Sequence, residues 1–390
     1  MELPGKNRKH DHILLASIFL LTGLGLVTLY SSSYAYAQRV FSGDGTYLLR
    51  RQIVFGGMGF AIFYIASVIN LELIRKFIKP LVFLSLFFCI LPFIPFLSAS
   101  QNVHTNTARW IGIGGQTFQP SELVKLSLPL YLAHIFDKKK ENLNSLARSV
   151  IPPAIITALF FIIIFLQNNF STAIFLALNA LFIFFLAGIK FRFFLSAIFI
   201  IIPSAAFMIL NKEHRILRVM SFVIPEYQPL GAGYQVSASV SAINSGGFWG
   251  TGIGQGIRKI VSVPEIHSDF IFASYAEEMG FLGVILFCLL FGVFTVRGYL
   301  SSMKNKNPFY RLLGAGLVTM IISQVLLNIS VTAGALPATG IPLPFFSSGG
   351  SSFFITLIMA GIIVNISRNT LEQKYNYTGN NDAYYDREDY

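Results

Sequence analysis

Three segments of this 390-residue chain hold ionisable or conformationally special residues inside apolar surroundings, where such residues are expensive and therefore informative. The first is Arg109-Trp110, followed by Gln119-Pro120-Ser121-Glu122-Leu123-Val124-Lys125. Pro120 suits the first turn of a helix, and Glu122 suits its positive end. Glu122 and Lys125 are three apart, so they share a helix face and can pair. The pair is either a structural ion pair or the polar wall of a cavity. The second segment is Pro264-Glu265-Ile266-His267-Ser268-Asp269-Phe270-Ile271-Phe272. Asp269 falls at the lip of an apolar run, where a carboxylate reaches water yet faces a low-dielectric site, a setting for a general base. The competing reading is that Ser268 or Asp269 merely caps a helix. Glu277-Glu278 lie in the same run, about 12 Å deeper if the helix is continuous. There they must face protein or a wet cavity. The third segment is Gly340-Ile341-Pro342-Leu343-Pro344-Phe345-Phe346-Ser347-Ser348-Gly349-Gly350-Ser351-Ser352. Two prolines, then hydroxyls and glycines, make an irregular segment that lines a cavity or lets helices approach closely.

A fourth feature invites a different reading. Ser245-Gly246-Gly247, with Gly250, Gly252, Gly254 and Gly256, has the look of a phosphate cradle. It lacks the Gly-Lys-Ser/Thr ending of a nucleotide loop. Tight turns are the simpler expectation, with backbone amides holding a diphosphate as the alternative. No spacing of His, Cys, Asp or Glu suggests a metal site, and Cys89 with Cys288 gives no disulfide framework.

The elements that must position these residues are membrane helices. The chain is 54% hydrophobic and 12% charged, with 39 Phe. A soluble domain is about a quarter charged, and a bilayer helix needs roughly 20 apolar residues. The pattern predicts an all-α integral membrane protein, a ten-helix bundle with spans near 12–33, 52–70, 78–98, 118–136, 148–167, 170–189, 192–210, 268–296, 310–332 and 345–366. Residues 1–367 form one polytopic domain, and the polar tail 368–390 is expected to be disordered. The first apolar run, Ile13 to Tyr30, is longer than a signal-peptide core, so an uncleaved span is preferred although Ala35-Tyr36-Ala37 mimics a cleavage site. No internal repeat is visible.

The net charge of +11 is placed by the same alternation. Lys138-Lys139-Lys140, Lys190 with Arg192, and Arg297, Lys304, Lys306 and Arg311 fall on one side, and short loops on the other side carry no Lys or Arg. This is the positive-inside bias. It accounts for the basic charge without nucleic acid and puts both termini in the cytoplasm. It also puts the long connection 211–267 outside, where its apolar residues and glycines suggest a partly structured cap.

At these segments the chain resembles the SEDS family (shape, elongation, division and sporulation), over nearly its whole length. The resemblance rests on Leu29-Tyr30-Ser31-Ser32-Ser33, Arg51-Gln52, Arg109-Trp110, Gln119 to Glu122 with Lys125, and Gly233-Tyr234-Gln235. It continues through Ser245-Gly246-Gly247, Pro264-Glu265 with His267, Asp269 to Phe272, and Gly340 to Ser352. The Tyr30 to Ala37 and Tyr47 to Gln52 segments are more similar to the division (FtsW) branch than to the elongation (RodA) branch. The resemblance implies a ten-helix fold with the large loop between helices seven and eight. It implies a peptidoglycan glycosyltransferase of the cytoplasmic (inner) membrane that polymerises lipid II on the outer face, here for the division septum. The family's essential aspartate maps onto Asp269. Its polar cavity residues map onto Arg109, Glu122 and Lys125, and onto Lys259, Glu265 and His267. Ser347, Ser348, Gly349 and Gly350 join them as substrate-binding candidates.

By the same resemblance the partners are lipid II, polyprenyl-diphosphate-linked glycan, a single-span class B penicillin-binding transpeptidase and other division proteins. A divalent cation, Mg or Mn, can share the diphosphate charge, although no ligand set is visible. The chain departs from the family at Gln167-Asn168-Asn169, where Gln-Pro-Asp is usual, and at Ala238, Asn244 and Arg258. The alternative functions are an elongation polymerase and a lipid II flippase. A flippase needs polar residues through the whole depth, and the sixth and seventh spans offer almost none.

Overall fold

The computed structural model describes residues 11–94, 96–98, 109–113, 116–143, 145–194, 216–217, 220, 222, 232–256 and 268–385. Its helices are α1 (His12–Val40), α2 (Tyr47–Val68), α3 (Leu71–Lys76), α4 (Ile78–Ile90), α5 (Pro120–Lys138), α6 (Ile151–Leu166) and α7 (Phe170–Leu186). They continue with α8 (Ala232–Gly246), α9 (Ile271–Met303), α10 (Pro308–Thr332) and α11 (Gly350–Tyr385). Among the described residues, six helical segments are long and apolar enough to cross a membrane: α1, α2, Leu146–Leu166, α9, α10 and Gly350–Leu371. Apolar helices Ile78–Phe93 and α7 are shorter. Of the expected spans, 192–210 lies outside the described residues beyond Phe194, and each of the others falls on a helix.

Close helix contact is bought with glycine. A Cβ on Gly361 would stand 2.6 Å from the Phe63 carbonyl oxygen, and one on Gly59 would stand 2.6 Å from Leu357. These two positions let α2 and α11 lie against each other. The centre of the bundle is aromatic: Phe287 lies 5.3 Å from Phe346, and Phe294 lies 5.9 Å from Phe345, ring centre to ring centre. The segment before α11 dips into this centre. Phe345, 1% exposed, carries a φ of +66°, and its carbonyl oxygen comes so near Gly25 that a Cβ there would stand 2.2 Å away.

The structure corrects the reading of 268–296 as one straight span. Residue Gly280 has φ +63° and ψ −165° inside α9 and breaks the helix. The two limbs, 271–279 and 281–303, fold back on each other. Phe272 and Phe287 have ring centres 5.2 Å apart, whereas a continuous helix would separate them by about 22 Å at 1.5 Å per residue. The Tyr275 hydroxyl donates to the Gly283 carbonyl at 2.8 Å. The order along the bundle axis is therefore the reverse of that in a straight helix. Along the α1–α9 seam Arg297 meets Asp11 and Glu278 meets Ser31. Phe272, at the level of Phe287, lies nearer the Asp11 end than Glu278 does. Asp269 lies at the tip of the short limb, toward the Asp11 end of the seam, and Glu277-Glu278 lie at the turn, toward the Ser31 end.

Helix α11 continues beyond Arg368, to Tyr385. Propagating a helix from a packed segment adds one hydrogen bond per residue and needs no new nucleus. Asn365 anchors that packed segment, its Nδ2 donating to the Ala66 and Ile69 carbonyls at 2.8 and 2.6 Å.

Candidate functional site

The site is built where the re-entrant limb of α9 meets the irregular segment 340–349. Helix α9 begins at Ile271 and its cap position is Phe270, which makes no side-chain cap. The Asp269 carboxylate stands one residue ahead of that position. It lies over Gly340, where an added Cβ would stand 3.4 Å from Asp269 Oδ2. Gly340 has φ +69°, a conformation open to glycine, so both backbone and space call for the missing side chain.

Three polar side chains hold this junction. Asn328 of α10 donates through Nδ2 to the Asp269 carbonyl at 2.8 Å and to the Ile341 carbonyl at 2.9 Å. Ser347 donates to the Ser268 carbonyl at 2.7 Å while its oxygen accepts from the Leu343 N–H at 2.7 Å. One amide and one hydroxyl thereby lock the α9 tip to the segment that faces it. Gln324, one turn before Asn328, donates to the Pro342 carbonyl at 2.7 Å and accepts from Lys125 Nζ at 3.1 Å. Sequence reading missed Gln324 and Asn328. Their signal was two amides four apart on an apolar helix, where each must find partners.

Glu122 and Lys125 do pair, at 2.8 Å, and both are buried. Lys125 also lies over the Phe175 ring. The pair reaches the Asp269 junction through Gln324 and Pro342 and is shut away from solvent, at 2% and 1% exposure. Such a pair is fragile to single change. Glu122→Gln should lower stability by about 3–5 kcal/mol by leaving a buried ammonium without its carboxylate, and Glu122→Gln with Lys125→Met should recover most of it. Thermal unfolding in detergent reads both; equal midpoints for the single and double variants would refute the buried pair.

Arg109 is supported elsewhere. It enters a hairpin of β1 (Ile111–Ile113) and β2 (Gln116–Phe118), which leads through Gln119 directly into α5 with Pro120 in the first turn. Its guanidinium donates to the Asn168 carbonyl in the α6–α7 turn. There the departure from Gln-Pro-Asp has a structural meaning. Asn168 has φ +59°, and its N–H donates to the Phe165 carbonyl at 3.0 Å. Proline can supply neither. Asn168→Pro, the family-like residue, should destabilise this chain by about 3 kcal/mol or more, and by more than Asn168→Gly, which keeps both the positive φ and the N–H. Unfolding midpoints of the two variants decide it; a stable Asn168→Pro would mean that the turn re-forms.

The glycine cluster is a backbone dock. The break at Gly280 leaves carbonyls at the end of one limb and N–H groups at the start of the other without helical partners. Thr251 N–H donates to the Glu277 carbonyl at 3.0 Å and Gly252 N–H to the Glu278 carbonyl at 3.1 Å. In return Phe281 N–H donates to the Gly247 carbonyl at 2.9 Å. A Cβ on Gly250 would stand 2.1 Å from the Glu278 carbonyl oxygen, and one on Gly246 would stand 2.3 Å from that of Ala276. The Glu278 carboxylate is buried and accepts from the Gly254 N–H at 3.0 Å and from Ser31. The acids at 277–278 face protein, and the turn that covers them belongs to the long connection expected to form a cap. Helix α8 of that connection binds α10, with Ser239 donating to the Thr332 carbonyl at 2.8 Å.

Of the candidates, the structure brings together Asp269, Gly340 and Ser347 and joins Glu122 and Lys125 to them through Gln324. Ser348, Gly349 and Gly350 lead from Ser347 into α11, where Gly350 lies against the Phe55 ring. Lys259, Glu265 and His267 lie outside the described residues. Among the described residues no group of His, Cys, Asp and Glu could hold a metal ion.

A family described as cell cycle protein, covering FtsW, RodA and SpoVE, matches residues 11–372. The chain is 32% identical over 364 residues to a protein of Trichlorobacter lovleyi named probable peptidoglycan glycosyltransferase FtsW, covering 93% of this chain and 94% of that one. It is 34% identical over 364 residues to the stage V sporulation protein E of Bacillus subtilis, covering 93% and 98%. A solved chain from work on the structural coordination of polymerization and crosslinking by a peptidoglycan synthase complex superposes with a TM-score of 0.75 at 26% identity, over 93% of this chain and 98% of that chain. The rod shape determining protein RodA of Thermus thermophilus shares the fold, with a TM-score of 0.65 at 24% identity over 93% and 97%.

Proposed function

The chain belongs to the FtsW, RodA and SpoVE family of cell cycle proteins, and on that premise we propose that it is a peptidoglycan glycosyltransferase that polymerises lipid II for the division septum. The observation that carries this reading is the placement of Asp269: a carboxylate at the tip of a re-entrant limb, over a glycine, with its backbone held from two sides.

The reaction joins two lipid-linked sugars. The acceptor hydroxyl oxygen bonds to the anomeric carbon of the donor sugar. The bond from that carbon to the diphosphate oxygen breaks, and polyprenyl diphosphate leaves with the electron pair. Asp269 takes the acceptor's proton. Arg109, with Lys259 of the connection before Asp269, offsets the charge on the departing diphosphate, and a magnesium or manganese ion can share it. Glu265 and His267 stand beside Asp269 in sequence and orient the acceptor. Lys125 and Glu122 act indirectly, through Gln324 and the 340–349 segment.

In this reading ten helices span the inner membrane, both termini are cytoplasmic, and α8 with the 247–256 turn lies outside. A single-span class B penicillin-binding transpeptidase crosslinks the product. The test is polymerisation of lipid II by the purified full-length chain in detergent, with and without the cognate transpeptidase. Glycan strands are expected; transport of lipid II in vesicles without polymer would favour a flippase. Restoration of septa in cells depleted of their FtsW, with no restoration of rod shape in cells depleted of RodA, would place it in the division branch.

A further inference from the structure

We infer that the turn at 247–253 is seated in the membrane surface, with Trp249 as its anchor at the boundary between lipid headgroups and acyl chains. Trp249 is 78% exposed, and Phe248 and Phe281 beside it are exposed as well. The three rings form one surface. The Phe248 ring centre lies 5.1 Å from that of Trp249 and 5.9 Å from that of Phe281. Backbone joins the same elements, since Leu282 N–H donates to the Phe248 carbonyl at 3.3 Å.

Phe281 also begins the outward face of the long limb of α9. Phe281, Ile285, Leu289, Val293, Val296 and Leu300 are exposed and recur every three or four positions, so they form one stripe. From Phe281 to Leu300 that stripe is about 29 Å long at 1.5 Å per residue, close to the roughly 30 Å of a bilayer's hydrocarbon core. Arg297 and Lys304 mark one end of it. The other end, Phe281, therefore stands at the opposite boundary, which in the orientation proposed above is the outer one. Trp249 lies at that level, because its carbonyl carbon would stand 2.7 Å from a Cβ on Gly280. Tryptophan suits the boundary: the ring body meets acyl chains while the indole N–H meets headgroups and water.

The turn has the chemistry to lie there. Segment 232–256 carries no Asp, Glu, Lys or Arg. Backbone groups near lipid need partners within the protein, and those of the turn have them. The N–H groups of Gly250, Thr251 and Gly252 donate to the carbonyls of Gly246, Glu277 and Glu278, and that of Gly254 donates to the Glu278 carboxylate. A site for a water-soluble partner carries a polar rim, whereas these rings run directly into the lipid-facing stripe. The anchor holds at the membrane surface the turn that completes the break at Gly280.

The test is fluorescence of the full-length chain in vesicles of phosphatidylcholine brominated at successive acyl positions. The chain has two tryptophans, Trp110 and Trp249, so Trp110→Phe leaves Trp249 as the reporter. Its emission is expected to be quenched most by bromines nearest the headgroup and least by bromines nearest the bilayer centre. Quenching by aqueous iodide with none by any brominated lipid would place Trp249 in water and overturn the anchor. Quenching strongest at the deepest bromines would overturn its place at the boundary. Where Trp110→Phe fails to fold, Trp249→Phe gives the reading by difference. It should lower the shallow quenching, and a quenching profile equal to that of the unaltered chain would overturn the proposal. Shallow quenching that vanishes when the single-span transpeptidase is reconstituted alongside would assign the surface to that protein and overturn the lipid contact. No reading here needs a substrate, so failure of the anchor and failure of the proposed activity are separate results.

Discussion

Purified Asp269→Asn should lose at least about 99% of lipid II polymerisation, because a positioned general base is worth roughly 10²–10⁴-fold in rate. Asparagine keeps the size and hydrogen-bonding reach of the carboxylate but cannot take the acceptor's proton. Asn328 holds the Asp269 carbonyl and Ser347 the Ser268 carbonyl through the backbone, contacts that both Asp269→Asn and Asp269→Ala keep. Unfolding midpoints of the two variants, read beside the yields, separate a loss of chemistry from a loss of fold. Polymer yields like the unaltered chain's from both variants would remove Asp269 from the mechanism. Loss in Asp269→Ala with substantial activity in Asp269→Asn would assign it to orienting the acceptor.

The second large effect is structural. Gly280→Ala should destabilise the chain by about 3 kcal/mol or more, since its φ of +63° with ψ of −165° lies in a region essentially reserved for glycine. The added Cβ would also stand 2.2 Å from the Gly250 nitrogen and 2.7 Å from the Trp249 carbonyl carbon, both backbone atoms with nowhere to go. Polymerisation should fall with stability, because the fold-back places Asp269. Gly292 supplies the control. It lies in the same helix with nothing within 4 Å of its added Cβ. There alanine should be neutral or stabilising by up to about 1 kcal/mol. Similar midpoints for the two variants in detergent would mean that α9 does not turn at Gly280.

Much of the junction was visible in the chain as chemistry but not as geometry. Asp269, Gly340 and Ser347 stood out because charge, glycine and hydroxyl interrupt apolar runs. Glu122 and Lys125 could be paired from spacing alone, since three residues on a helix fix a common face. Their further link to Gln324 could not be read this way, because the partner is 199 positions away. The glycines of 246–256 announced tight turns. That those turns complete the hydrogen bonds of a broken helix depends on what lies against them.

The membrane character, the positions of the helices and the side chains that must find polar partners were determined by the sequence itself. Each follows from transfer free energy or local spacing, quantities that add up residue by residue. Direction was decided only by the tertiary structure. A straight helix and a folded-back one have the same composition and the same hydropathy, and glycine at 280 permits a turn without requiring it. The turn exists because residues 247–252 satisfy the backbone groups it exposes and because Phe272 and Tyr275 find Phe287 on the other limb. That long-range match sets Asp269 within the bundle, on the opposite side of Glu277-Glu278 from where a straight helix would have placed it.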